Sequence, residues 1–194
     1  IDFLHYRLAV NLHNGHGIFY NPNATDLLTF SPLWILPLSI APFDATLIAA
    51  VLYVVGLTVA GLSLARFLQH AGFSQLMTAL TLLILALSLP VWAGIRSPAT
   101  WVFALIVTSL VLIDTERPRL AGLLAGLTLL LQTQALAGVL VAGIYTGTSS
   151  RRYWQIVWIP GAIWALITLI SYEVSGLALP PPFITANWQD ALWL

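Results

Sequence analysis

Five stretches of the chain are apolar for 15 residues or more: Ala45–Ala65, Leu76–Trp92, Ala99–Ile113, Leu120–Tyr145 and Trp154–Leu179. Together they hold a single charged residue, Glu173. A helix crossing a bilayer needs roughly 20 such residues, fewer where neighbouring protein shields it. The pattern therefore predicts membrane helices joined by short polar turns. Leu120–Tyr145 is long for one span and is interrupted by Gln132-Thr133-Gln134. Two short helices meeting at that joint satisfy the pattern, as does one span with a shielded polar kink; the hairpin is the reading adopted. Phe30–Phe43 (FSPLWILPLSIAPF) carries Pro32, Pro37 and Pro42. Proline removes a backbone donor and clashes with the preceding turn, so this piece predicts a half-helix or re-entrant segment. Asp44 then stands where it would cap the next helix.

The first residues follow a different pattern. Over Ile1–Leu12 the period is helical, with Ile1, Leu4, Leu8 and Leu12 on one narrow stripe. Asp2, Tyr6, Ala9 and His13 fall on the other side, and Arg7 lies off that face. Asn14-Gly15 predicts the helix end, because both tolerate left-handed backbone, and Tyr20-Asn21-Pro22-Asn23 predicts a turn. Such a helix suits a membrane interface, leucines inward and an acid, a phenol and an imidazole outward. The simplest account of the outward face is a solvated surface, with Asp2 as a helix cap. His5, His13 and His16 with Asp2 match no standard metal spacing, and no metal is expected. Asn23-Ala24-Thr25 has the form of a glycosylation sequon, a short match that chance supplies often.

Charge orients the spans. There is no Lys, and Arg66, Arg117, Arg119, Arg151 and Arg152 fall in three joints, ARFLQHAG, DTERPR and SSRR. With Phe30–Phe43 re-entrant and Leu120–Tyr145 a hairpin, those joints share one side, which the positive-inside rule makes cytoplasmic. Residues 1–29, Arg7, Arg96 and the tail PPPFITANWQD are then outside. The division expected is an extracytoplasmic loop with its juxtamembrane helix over 1–29, a transmembrane bundle over 30–179, and the start of a further external loop over 180–194. With an external segment at Ile1, a span upstream is expected, and the sequence reads as an interior piece of a longer chain. The fold class expected is all-α, a polytopic bundle of about six spans.

Composition strengthens the membrane assignment and removes several alternatives. Hydrophobic residues make up 59% and charged residues 7%, with a mean hydropathy of +0.92, against about 45–50% and 25% in soluble domains. Zero net charge gives no global field for nucleic acid. The absence of Cys removes disulfides and thiolate metal sites. Eight tryptophans, at 34, 92, 101, 154, 158, 164, 188 and 193, read mostly as an interfacial belt.

Asp2-Phe3, Tyr6, Ala9, Gly15, Tyr20 and Phe30-Ser31-Pro32 resemble the first external loop of GT-C glycosyltransferases, nearest to glycosyltransferase family 87 and its mannosyltransferase relatives. Arg119-Leu120-Ala121-Gly122-Leu123-Leu124-Ala125-Gly126-Leu127 is similar to the small-residue segment that follows a basic cytoplasmic joint there. The likeness extends over most of the chain, with specific positions confined to the first 32 residues. It implies a multi-pass protein of the bacterial plasma membrane, a polyprenyl-phosphate sugar as donor, a glycan or lipid acceptor, and no cofactor. On that resemblance Asp2 is the general base for inverting transfer of a hexosyl or mannosyl group. Arg96, in AGIRSP, and then Arg7 are the cations for the leaving phosphate, since guanidinium binds such oxygens with two hydrogen bonds. Tyr6, His13, Gln132 and Gln134 are the further substrate-binding candidates. Two departures stand out: family members often have Gly-Gln-Asn where this chain has Gly94-Ile95-Arg96-Ser97, and a basic residue near Gln132-Thr133-Gln134. The competing classes are a secondary transporter, which wants polar groups converging at the midplane, and a non-catalytic membrane assembly protein.

Overall fold

The computed structural model describes residues 3–16, 31–40, 45–88, 97–132, 135, 139 and 154–175. Those residues form seven helices and no strand: α1 (Phe3–His13), α2 (Pro32–Ile40), α3 (Ala45–His70), α4 (Gln75–Leu87), α5 (Ala99–Asp114), α6 (Pro118–Leu131) and α7 (Trp154–Ser175). The all-α class follows. Arg151, Arg152, the tail after Ser175 and the expected cap Asp44 lie outside the described residues.

Local chemistry accounts for where the helices stop. In α1, Gly15 has φ 75° and its N–H donates to Leu12 O, while the His16 N–H donates to Asn11 O. That pair of bonds is a Schellman motif, at the Asn14-Gly15 position read from sequence. The same motif ends α3, at Gly72 with φ 87°, through Gly72 N–H to Gln69 O and Phe73 N–H to Leu68 O. It recurs after α5, where the left-handed residue is Glu116 at φ 58°. At the start of α4, Ser74 Oγ accepts the Met77 N–H at 3.3 Å. Pro118 begins α6, where its missing N–H costs nothing.

Helix α6 ends at Gln132, whose backbone is extended (φ −160°, ψ 116°). The apolar run Leu120–Tyr145 is therefore broken at the polar joint; of its remainder only Leu131, Gln132, Ala135 and Val139 are described. Helix α2 is nine residues long and contains Pro37, about 14 Å at 1.5 Å per residue. That is less than half of a hydrocarbon core about 30 Å thick. Among the described residues one helix, Thr46–His70, is long and apolar enough to cross a membrane; Gln75–Leu87, Ala99–Asp114 and Pro118–Leu131 are apolar but shorter.

Interhelical bonds fix directions. The Trp101 indole N–H donates to Leu52 O at 2.9 Å, and Ser63 Oγ and Thr108 Oγ1 share a hydrogen bond of 2.8 Å. Positions thus advance together along α3 and α5, which run parallel. The three-residue turn after α5 sends α6 back antiparallel. Its small face, Ala121, Gly122, Ala125 and Gly126, is buried. Ala121 packs with Ile113 of α5, and Gly126 lies beside Pro160 and Ile163 of α7. Small residues bring helix axes close, the usual device where lipid offers no hydrophobic drive for association.

The bundle therefore has two dissimilar ends. Arg66 and His70 of α3 share one end with Asp114, Glu116, Arg117 and Arg119, all exposed. At the other end a core of Leu8, Ala9, Trp34, Ile35, Leu38, Ala49 and Leu131 ties α1 and α2 to the start of α3 and the end of α6. Outward faces are apolar, with Leu47, Val54 and Leu62 on α3 and Leu76, Ile84 and Leu87 on α4 exposed. Hydroxyls are mostly absorbed by their own helices: Thr58, Thr81, Thr108 and Ser109 donate to the carbonyl four residues back, and Thr128 to Ala125 O. Such back-bonding satisfies these hydroxyls within the helix; Thr78 Oγ1 on α4 is buried without a partner among the described residues.

Of the four tryptophans whose side chains are described, Trp34 and Trp101 depart from the belt reading. Trp34 is 1% exposed in the core, and Trp101 lies against Gly56 with its N–H on α3. Trp164 is half-buried, while Trp158 is exposed as a belt residue would be. Packing takes the indoles that face neighbouring helices, because a helix with no polar face has apolar partners on several sides.

Candidate functional site

The candidate site is the end formed by α1, α2 and the termination of α6. Of the residues singled out in the sequence, Tyr6, Arg7, His13 and Gln132 are described; Asp2, Arg96 and Gln134 lie outside the described residues.

Helix α1 packs on α2 through Leu8 and Ala9, which meet the core containing Trp34, Ile35 and Leu38. Tyr6 (37% exposed) and His13 are seven residues apart and both exposed, consistent with one face two turns apart. Arg7 is half-buried and engaged. Ala9 corrects the expected face: it is 0% exposed and belongs to the packed side. The inward arc is wider than the expected Ile1–Leu4–Leu8–Leu12 stripe: Leu8 and Ala9 both pack into the core shared with α2, and Asn11 is buried as well. Nothing in the periodicity of residues 1–12 signals that α1 meets a second helix.

His13 makes a specific contact. Its Nδ1 lies 2.9 Å from Ser39 O, in the last turn of α2. A carbonyl only accepts, so Nδ1 carries the proton, and in the neutral ring Nε2 keeps its lone pair. The bond satisfies one of the carbonyls that a helix end leaves over and ties the last turns of α1 and α2 together. Ser39 uses its own hydroxyl on Leu36 O at 2.8 Å.

Gln132 follows Leu131, a member of the same core. Its N–H caps Thr128 O at 2.9 Å, and its carbonyl accepts the Ala135 N–H at 3.0 Å. The residue is half-buried and engaged. The fold thus brings Tyr6, Arg7, His13 and Gln132 to one end of the bundle, opposite the arginines of the turns.

Three further polar groups at this end are not among the substrate-binding candidates read from the sequence. Asn11 is 8% exposed, Ser31 is buried, and the Trp34 indole N–H is buried with no hydrogen-bond partner among the described residues. Asn11 was within reach of helical geometry, since it falls next to Leu8 on the wheel. Trp34 entered the sequence reading only as one of the tryptophans of an interfacial belt. Among the described residues no group of three His, Cys, Asp or Glu side chains stands together as a metal site.

Comparison with protein-family models, with curated proteins and with solved structures finds no match. Function is accordingly argued from the residues themselves.

Proposed function

We propose that the chain is part of a multi-pass GT-C glycosyltransferase of the bacterial plasma membrane. It moves a hexosyl or mannosyl group from a polyprenyl-phosphate sugar to an acceptor hydroxyl on the extracytoplasmic side. The bundle crosses the membrane about six times, with neighbours shielding the shorter helices and α2 entering without crossing. One observation carries the proposal: a helix presenting Tyr6 and His13 is docked on a short proline-containing helix, at the bundle end opposite Arg66, Arg117 and Arg119. An outward cleft bordered by a loop and a re-entrant helix has that arrangement, with the basic joints on the cytoplasmic side.

In the reaction the acceptor oxygen bonds to the anomeric carbon as the bond from that carbon to the phosphate oxygen breaks, with inversion. Asp2 takes the acceptor proton, which makes a weak nucleophile competent. The polyprenyl phosphate departs with the electron pair, and Arg96, with Arg7 as the second cation, holds its charge. Tyr6, His13, Gln132 and Gln134 position hydroxyls. No metal or other cofactor takes part.

The test is transfer from a polyprenyl-phosphate mannose by the full-length protein carrying Asp2→Asn. Transfer should fall about 10²–10⁴-fold, the usual contribution of a positioned base, with donor binding retained. Full activity in that variant removes Asp2 from the chemistry.

A further inference from the structure

We propose that the Trp34 indole N–H is a ligand-directed donor, bonding an oxygen of a phosphate or hydroxyl headgroup admitted between the α1–α2 pair and the main bundle. The inference rests on the extracytoplasmic-site reading above and adds to it a binding residue on α2.

Trp34 is among the most buried large side chains of the fold, and its Nε1 has no acceptor among the described residues. A buried donor without a partner is costly, and more so where no water can reach it. Phenylalanine would fill most of the same space without that cost. Elsewhere the fold does pair an indole: Trp101, half-buried, donates to Leu52 O. Of the hydroxyls along α3 to α6, Thr58, Thr81, Thr108, Ser109 and Thr128 find carbonyls in their own helices, while Thr78 Oγ1 on α4 is buried without a partner among the described residues. The unsatisfied donor at Trp34 therefore departs from the pairing found by Trp101 and by most of these hydroxyls.

Its position suits a ligand. Trp34 joins Leu8 and Ala9 of α1 to Ala49 of α3 and Leu131 of α6, so it stands at the seam between the α1–α2 pair and the bundle. Helix α2 is short, contains Pro37, and is held to α1 by the His13–Ser39 bond. The two helices can shift together without breaking that bond. A small displacement of the pair from α3 and α6 would uncover the indole N–H, where a headgroup oxygen completes it. Phosphate and sugar hydroxyl oxygens both accept such a bond.

The test uses the full-length protein in lipid nanodiscs with 15N-labelled indoles, titrated with decaprenyl phosphate and separately with a decyl glycoside. The Trp34 Nε1–H signal, assigned by its absence in Trp34→Phe, should move downfield with one probe; which probe does so separates phosphate from sugar. Trp34→Phe should bind that probe about tenfold more weakly, equivalent to 1.4 kcal/mol. Without ligand it should unfold no earlier than the parent, having lost no bond. If the Phe variant does not fold, 3-benzothienylalanine at position 34 replaces N–H by sulfur at nearly the same shape. A signal unmoved by both probes, or unchanged affinity in the variant, overturns the inference. If Asp2→Asn abolishes transfer while Trp34→Phe binds normally, the donor role fails and the transferase reading stands. If Asp2→Asn retains transfer while Trp34→Phe loses the probe, the reverse holds.

Discussion

The contact between Gly56 and Trp101 makes a sharp test of how α3 and α5 are held. The indole lies so close to α3 that a Cβ at Gly56 would stand 3.1 Å from Trp101 Nε1 and 3.2 Å from Cδ1 and Cε2. The ring cannot simply swing away, because its N–H is bonded to Leu52 O at 2.9 Å. Gly56→Ala therefore forces a shift of a few tenths of an ångström in a tethered ring. Overpacking of this kind costs about 1–3 kcal/mol, against a helix-propensity gain for Ala of about 1 kcal/mol; the net expected is a loss of about 1 kcal/mol. Trp101→Phe removes the tether and part of the ring, costing about 1–2 kcal/mol through a lost interhelical bond and lost packing. In the Phe background the ring is free to tilt, so Gly56→Ala should become neutral or stabilising. The double variant should then be less destabilised than the sum of the singles by about 1–2 kcal/mol, well beyond the roughly 0.3–0.5 kcal/mol scatter of additive sites. Equilibrium unfolding in mixed micelles, followed by near-ultraviolet circular dichroism, measures all four proteins. Additive effects, or a Gly56→Ala single variant more stable than the parent, would refute the tethered-ring account.

Two further substitutions probe other joints. Glu116 occupies a left-handed position at φ 58° at the end of α5, where a side chain costs about 1–2 kcal/mol. Glu116→Gly should raise stability by about 0.5–1 kcal/mol in the same unfolding assay, the relief exceeding the added freedom of the unfolded chain. At Gly126 a Cβ would overlap the Ile163 Cδ1 methyl and approach Pro160 Cα to 3.6 Å. The methyl can rotate, so Gly126→Ala should change stability by less than about 1 kcal/mol, whereas Gly126→Val, whose branches meet the Pro160 backbone, should cost about 2–3 kcal/mol, read as an earlier unfolding midpoint.

Much of the helical scaffold was legible because each boundary has a local cause. Ala45 and Ala99 begin the helices expected there, and Asn14-Gly15 and Gln132 end theirs. α3 runs past Ala65 to His70 because its left-handed stop is Gly72, while polarity alone placed the end at the arginine. What could not be read was the side of a helix that meets another helix. In α1, Ala9 falls outward by its spacing with Asp2, Tyr6 and His13, and packing against α2 makes it interior. Trp34 and Trp101 were assigned to an interface because composition cannot distinguish a belt indole from one that locks two helices. The register of α3 against α5, which brings Ser63 to Thr108, depends on tertiary packing that no local pattern encodes. For the site, Tyr6 and His13 kept their exposed face, while Asn11 and Trp34 emerged only from burial.

These differences follow a division within the molecule. At the arginine-bearing end, α3 and α5 close on themselves through left-handed turns that satisfy the last carbonyls, so those connections need nothing from a partner. At the opposite end the helices are shorter, α2 carries an internal proline, α6 stops in extended backbone, and one indole donor is left over. Each of these features reduces what the backbone can satisfy internally, which in an apolar surrounding is tolerated where protein or a polar cavity stands beside it. A protein selected only to span a membrane would gain by regularising that end: continuing α6 through Gln132 and placing Phe at position 34 would remove the irregularities at little cost in packing. That they gather at the end that carries Tyr6 and His13, whereas the arginine end shows one such group among the described residues, the buried Thr78 hydroxyl, is the strongest physical reason to look for ligand there.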